Sequence, residues 1–126
     1  MNIPANLKYT KDHEWLKVEG NIGIIGITDY AQGELGDIVY VDINPDLTDI
    51  KQGESFGTIE AVKTVSDMYA PVDGNIVEIN KKLNDEPQLV NSDPYGEGWI
   101  VKIELTDPGQ ISTLLDASAY QAQLGQ

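Results

Sequence analysis

The chain has 126 residues, with 12 glycines, no cysteine and no arginine, and its 21 acids against 8 lysines leave a net charge of −13 at pH 7. That balance excludes a phosphate-reading nucleic-acid binder or a binder of anionic membranes, since both need clustered cations. Without thiols there is no disulfide frame, no thiolate metal site and no cysteine nucleophile, and no metal is expected.

No apolar run approaches the length of a membrane-spanning helix. The start, "MNIPANLKYT", lacks the apolar core of a signal peptide and the arginines of a transit peptide. A soluble cytoplasmic protein, in the simplest case bacterial, is expected. The length suits one domain over 1–126. The acidity favours partners with basic faces.

In chain order, residues 15–19 alternate and stop at Gly20, and 21–27, "NIGIIGI", form a second strand paired to the first as a hairpin. Thr28 is a helix cap, Asp29 lies in the first turn, and the short helix runs to about Leu35 with Gly36 closing it. Residues 37–43, "DIVYVDI", alternate as a strand, and 44–54 read as loop. Residues 74–80 and 97–105 are further strands. Asp107-Pro108 then opens a C-terminal helical segment whose apolar face is "ISTLLDASAY", with 121–126 fraying. Strands separated by glycine and proline predict a small all-β sandwich or barrel with helical additions. There is also an internal echo: residues 36–42 match 74–80 at an offset of 38, each copy followed by a Leu-x-Asp. Two similar half-units suggest a pseudo-twofold β architecture.

Between the two copies lies "GTIEAVKTVSDMYAPVDG", residues 57–74. Its strand-forming run is about twice the usual strand length. It is best folded in its middle as a hairpin, with a type I turn, which accepts most residues, near 62–65. That turn places Lys63 at an exposed tip. A solvated surface lysine is the plain alternative. A Schiff-base lysine would need a desolvating pocket, which a tip does not offer. A lysine that carries an acyl group needs exposure, reach and a rigid scaffold. The 21 acids make chance carboxylate pairs unavoidable, so no spacing singles out a hydrolase. A pure interaction module would also explain the acidity.

The stretch "GTIEAVKTVSDMYAPVDGNIVEIN" resembles the lipoyl-lysine hairpin of the glycine cleavage H-protein family, and so do "KYTKDHEW" (8–15), "GITDYAQGELGDIVYVD" (26–42) and "SDPYGEGWIVKI" (92–103). The resemblance covers nearly the whole chain. It implies a barrel-sandwich hybrid of the lipoyl- and biotinyl-carrier type, and lipoate attached through an amide to Lys63. Glu60 and Gly74 then stand where the family's lipoate-attaching enzymes recognise their target. Glu14 and Asp67 match the family's acidic cleft for the loaded arm. Asp12 neighbours that cleft, where the family often has a hydroxyl residue, and Ile27 and Leu35 are candidate apolar walls. His13 and Trp15 read as structural. The implied protein is a non-catalytic, monomeric carrier. It shuttles the aminomethyl group of glycine from a pyridoxal-phosphate glycine decarboxylase to a tetrahydrofolate-dependent aminomethyltransferase, and presents the resulting dithiol to dihydrolipoyl dehydrogenase. A lipoyl relay or a 2-oxoacid-dehydrogenase type of lipoyl carrier is the alternative. The dehydrogenase type usually has Asp before the lysine, where Val62 stands. Biotin carriers flank the lysine with Met, where Val62 and Thr64 stand.

Overall fold

The structure, a computed structural model, describes residues 1–125. β1 (Lys8–Tyr9) pairs with β2 (Glu14–Glu19), which turns at Gly20, φ +62°, into β3 (Ile22–Ile27). The helix α1 (Asp29–Leu35) has the expected boundaries. Thr28 Oγ1 accepts from the Ala31 N–H at 3.2 Å, and the Gly36 N–H donates to Gln32 O at 3.0 Å. β4 (Ile38–Asp42) follows, then β5 (Asp49–Ile50), which lies inside the stretch expected to be loop. Two residues are too few to show alternation; pairing with a neighbour makes them a strand. β6 (Ser55–Ala61), β7 (Val65–Tyr69) and β8 (Gly74–Ile79) come next.

Past β8 the sequence reading and the structure diverge. Two one-turn helices, α2 (Lys82–Asp85) and α3 (Leu89–Ser92), each bury one residue, Leu83 and Val90, and neither has a side-chain cap. Such pieces carry no periodic signal and exist because the core accepts their one apolar side chain. β9 (Val101–Leu105) starts four residues later than expected, because Asp93 O accepts from the N–H groups of Gly96 and Gly98 and holds 94–98 as a turn. The C-terminal helix does not begin at Asp107. Pro108–Thr113 form a 3-10 turn, and Tyr9 and Leu115 then exchange both backbone hydrogen bonds at 2.8 Å. Only after that extended bridge does Asp116 cap α4 (Ala117–Gln123), its Oδ1 accepting from the Ala119 N–H at 2.8 Å. The expected fraying therefore fails for 121–123, which are helical, and Gln126 lies outside the described residues.

The strands make two antiparallel sheets, β1-β2-β3-β9-β8-β5 and β4-β6-β7. Between them lies one apolar core, to which Leu16, Ile25, Ile27, Val101 and Ile103 contribute from the larger sheet and Val41, Phe56, Ile59 and Met68 from the smaller. Leu7, Tyr9, Trp15 and Tyr120 form a second cluster under α4. The all-β reading with short helices holds. The repeat has a structural counterpart as well. β4 carries a bulge between Ile38 and Tyr40, and β8 carries one between Ile76 and Glu78, the same positions shifted by the repeat offset. The bulged residues Val39 and Val77 are both exposed. One copy lies in each sheet, and the β6–β7 hairpin spans the chain between them.

Candidate functional site

The last ladder pair of the hairpin is Glu60 with Val65, so residues 61–64 form its tip. The Ala61 N–H donates to Thr64 O at 2.8 Å, and the Val62 N–H donates to Asp37 O at 3.0 Å, tying the tip to the segment that enters β4. Among the described residues the only non-glycine with positive φ is His13, so this turn needs no left-handed residue. That is why a stretch free of glycine and proline can still reverse here. Val62, Lys63, Thr64 and Val65 are exposed while Ala61 is buried beneath them. Lys63 makes no ion pair among the described residues. Its stem crosses Gly36, where an added Cβ would sit 3.6 Å from Lys63 Cε.

A cleft of about 290 Å³ lies between α1 and the hairpin, lined by Asp12, His13, Tyr30, Glu34, Leu35 and Ser66 among others. Leu35 packs on the core and supplies the apolar wall. His13 sits at φ +73°, held in a tight turn by Thr10, whose O accepts from the His13 N–H at 3.2 Å. Its ring lies between Tyr30 and Tyr120, with Nδ1 2.8 Å from Tyr120 Oη. Burial pushes the His13 pKa down against Asp12 and Glu34, which pull it up. Asp12 also lines a second cleft, with Glu14, Ala70 and Leu115, on the far side of the turn.

Glu14 is not a free surface acid. It is 2% exposed. Its Oε1 accepts from Thr10 Oγ1 at 2.5 Å and its Oε2 accepts from the Tyr69 N–H at 3.1 Å. Burial outweighs these bonds and pushes its pKa up to about 7. The bond to Tyr69 fixes Glu14 against the free edge of β7, two residues from Asp67. The Asp67 side chain nevertheless leaves on the opposite face from buried Met68 and accepts from Ser55 Oγ at 3.0 Å.

The expected cleft is therefore rearranged. Asp12 and Leu35 share one cleft. Glu14 belongs to the next cleft, Asp67 to the outer face of the small sheet, and Ile27, 4% exposed, to the core. The physical reason is strand alternation. Asp67 is flanked by Ser66 and Met68, which take the inward side, and Ile27 faces the core from β3. Glu34 and Tyr30 were missed. They follow from the helix that Thr28 caps, where Tyr30 and Glu34 are four apart and project on the face that carries Leu35's neighbours. Glu60 is exposed on β6, three residues before Lys63. Gly74 is buried, and an added Cβ there would stand 2.5 Å from Ile103 Cδ1 and 2.8 Å from Glu104 O, so packing alone demands glycine. Among the described residues no group of three or more His, Cys, Asp or Glu could hold a metal ion, and no helix is long and apolar enough to cross a membrane.

An exposed, unpaired tip lysine beside a part-apolar cleft fits an acylated lysine. The family model described as glycine cleavage H-protein matches residues 7–126. The glycine cleavage system H protein of Symbiobacterium thermophilum is 57% identical over 121 residues, covering 96% of this chain and 94% of that protein. That of Staphylococcus carnosus is 53% identical over 126 residues, covering all of both. A crystal structure of a glycine cleavage system H protein from Mycobacterium marinum superposes with a TM-score of 0.88 at 40% identity, covering 98% of this chain and 100% of that one. With a tip lysine on a two-sheet carrier fold and matches that run the length of the sequence, the chain belongs to the glycine cleavage H-protein family, the lipoyl carriers of the glycine cleavage system.

Proposed function

We propose that Lys63 is the residue that bears lipoate and that the protein acts as a carrier without catalysis of its own. The observation that carries this reading is the tip itself: an unpaired amine on a rigid two-stranded support, facing solvent. Attachment is an acyl transfer. The deprotonated Lys63 Nζ attacks the carbonyl of an activated acyl donor, an acyl adenylate or thioester. The new C–N bond forms, the bond to the leaving group breaks, and Nζ gives up its second proton as the amide is made. When bound, the group supplies a disulfide that accepts two electrons and a one-carbon unit from glycine, and later a dithiol for a flavin dehydrogenase to reoxidise.

The chain's own residues then hold and shelter the arm. The Lys63 stem lies against Gly36, one residue past Leu35 of the cleft. Leu35 offers apolar contact, and Asp12 and Glu34 offer carboxylates to a cationic cargo. Glu14 lies just beyond Asp12 as a buried acid. Ion pairs of this exposed kind are worth about 0–1 kcal/mol each, so docking stays reversible, as handover requires. Glycine decarboxylase, aminomethyltransferase and dihydrolipoyl dehydrogenase are the partners. A tethered arm raises the effective concentration of its end at each of them. The test is Lys63→Arg, which keeps the charge but leaves no acylable amine. The wild type should gain the mass of one lipoyl group on the peptide containing Lys63, and the variant should stay folded at its unmodified mass. A lipoylated arginine variant would overturn the assignment.

A further inference from the structure

One side chain outside the cleft joins its wall to the lysine tip. Asn91 stands on α3, a single turn seated in the core by its neighbour Val90. Its amide has an acceptor oxygen and two donor hydrogens, and both ends are engaged at the junction of α1 and β4. Oδ1 accepts from the Ile38 N–H at 2.9 Å, while Nδ2 donates to Gly36 O at 2.9 Å and to Gln32 Oε1 at 3.0 Å. The amide fits only this way round, since one end faces an N–H and the other two oxygens. β4 is an edge of the small sheet, so the Ile38 N–H has no strand to meet on that side. Gly36 O lies just past the last turn of α1, where carbonyls lack partners. α1 has no fully buried residue, so its placement depends on such bonds.

We infer that Asn91 is a positioning residue for the carrier lysine: it aims the Asp37 carbonyl at the tip and so sets Lys63 against the end of α1, an inference that rests on Lys63 bearing the arm. The Ile38 N–H and the Asp37 C=O belong to one peptide group. No peptide bond among the described residues is cis, and in a planar trans peptide the N–H and the C=O point in opposite directions. The bond from the Ile38 N–H to Asn91 therefore directs Asp37 O the other way, where it accepts from the Val62 N–H at 3.0 Å. Bonds chained through one peptide polarise and strengthen each other. Because Asn91 also binds Gly36 O, the peptides on both sides of Asp37 are held. Lys63 Cε lies against this same Gly36. Through Gln32 the amide also holds α1, whose Glu34 and Leu35 line the cleft. Asn91 thus keeps the start of the arm and the wall of the cleft in one frame. Without it the Gly36–Asp37 link loses two bonds, and the arm loses its fixed entry to the cleft.

Two measurements on the full-length carrier test this. The first is amide hydrogen exchange by NMR, before lipoylation. In Asn91→Ala the Val62 N–H should exchange about tenfold faster. The Ala61 N–H, which donates to Thr64 O inside the hairpin, should keep its wild-type rate. The second is the lifetime of the loaded arm. With water, the sulfur-bound aminomethyl group gives the free thiol, formaldehyde and ammonia. Carriers lipoylated to completion are charged by glycine decarboxylase, and ammonia release is followed without the transferase. A second variant breaks the path at its other end. Val62 is the second residue of the 61–64 turn, where type I and II turns favour proline, so Val62→Pro removes the N–H and keeps the hairpin. Asn91→Ala and Val62→Pro should each release ammonia about three- to tenfold faster than the wild type. The double variant should be no faster than the quicker single one, because both changes break one path. Val62→Pro leaves α3 untouched and carries the test if Asn91→Ala does not fold. A Val62 N–H that keeps its rate in Asn91→Ala would overturn the inference. So would Ala61 and Val62 exchanging faster together, the sign of a loosened hairpin. Arm lifetimes equal to the wild type, or effects that multiply in the double variant, would overturn it too. A wild type that gains no lipoyl group at Lys63 would instead remove the carrier reading, and the exchange rates would still decide whether Asn91 sets the tip.

Discussion

Glu14 shows how far one residue's chemistry departs from its sequence appearance. Read as one of 21 acids it is a surface charge; in the fold it is buried against Thr10 and the edge of β7. With a folded pKa near 7 against 4.5 for the free side chain, it binds a proton more tightly folded than unfolded. Its contribution to stability is therefore fully present below pH 4.5 and is lost as pH rises through about 7. The shift corresponds to about 3 kcal/mol at most. Glu14→Gln keeps the shape and removes the titration. Urea unfolding of both proteins between pH 4.5 and 8 should show the wild type losing stability relative to the variant by about 2–3 kcal/mol. Parallel stability curves would show that Glu14 binds its proton equally well folded and unfolded, so that burial leaves its pKa unshifted. Referring the wild type to the variant cancels the general effect of the −13 charge, which also weakens the folded state as pH rises.

At the scale of elements, the hairpin's rigidity comes from what lies beneath it. Ala61, Ile59 and Met68 anchor its strands in the core, and β8 returns from it to the larger sheet at Gly74. Gly74 pairs with Leu105 on β9, and there is no space above it. Gly74→Ala should cost about 1–3 kcal/mol, the usual price of overpacking, because the clash includes the Glu104 carbonyl, which cannot rotate aside. Chemical denaturation reads this directly, and a variant as stable as the wild type would show that β8 and β9 separate easily. Any effect of this glycine on lipoate attachment would then act through the setting of the hairpin, since the residue itself is buried.

For the whole molecule the governing quantity is charge. A net −13 spread over a chain of this size makes encounter with basic-faced partners electrostatically steered. The Debye length is about 10 Å at 0.1 M salt, so raising ionic strength from about 0.02 to 0.5 M should weaken the decarboxylase's apparent affinity for the lipoylated carrier by about tenfold or more. The measurement is KM for the carrier in glycine decarboxylation across that range. A flat profile would mean that the acids are there for solubility alone.

What the sequence by itself determined was whatever depends on neighbours along the chain. The β2–β3 hairpin, the Thr28-capped helix, the tip turn at Lys63 and the repeat all follow from alternation, capping and spacing, which act within a few residues. The family of the chain was legible for the same reason, since its motifs are contiguous. Only the tertiary structure decided the rest. β5 exists because β8 offers it an edge, and α4 waits for Asp116 because Leu115 must first bridge to Tyr9. Glu14 and Asp67 look alike as letters and differ in the fold. One carboxylate is folded inward against the edge of β7 and loses its water, while the other leaves that strand on the solvent side and keeps it. Burial is a property of packing between segments distant in sequence, and desolvation, which sets the chemistry of Glu14, follows from it.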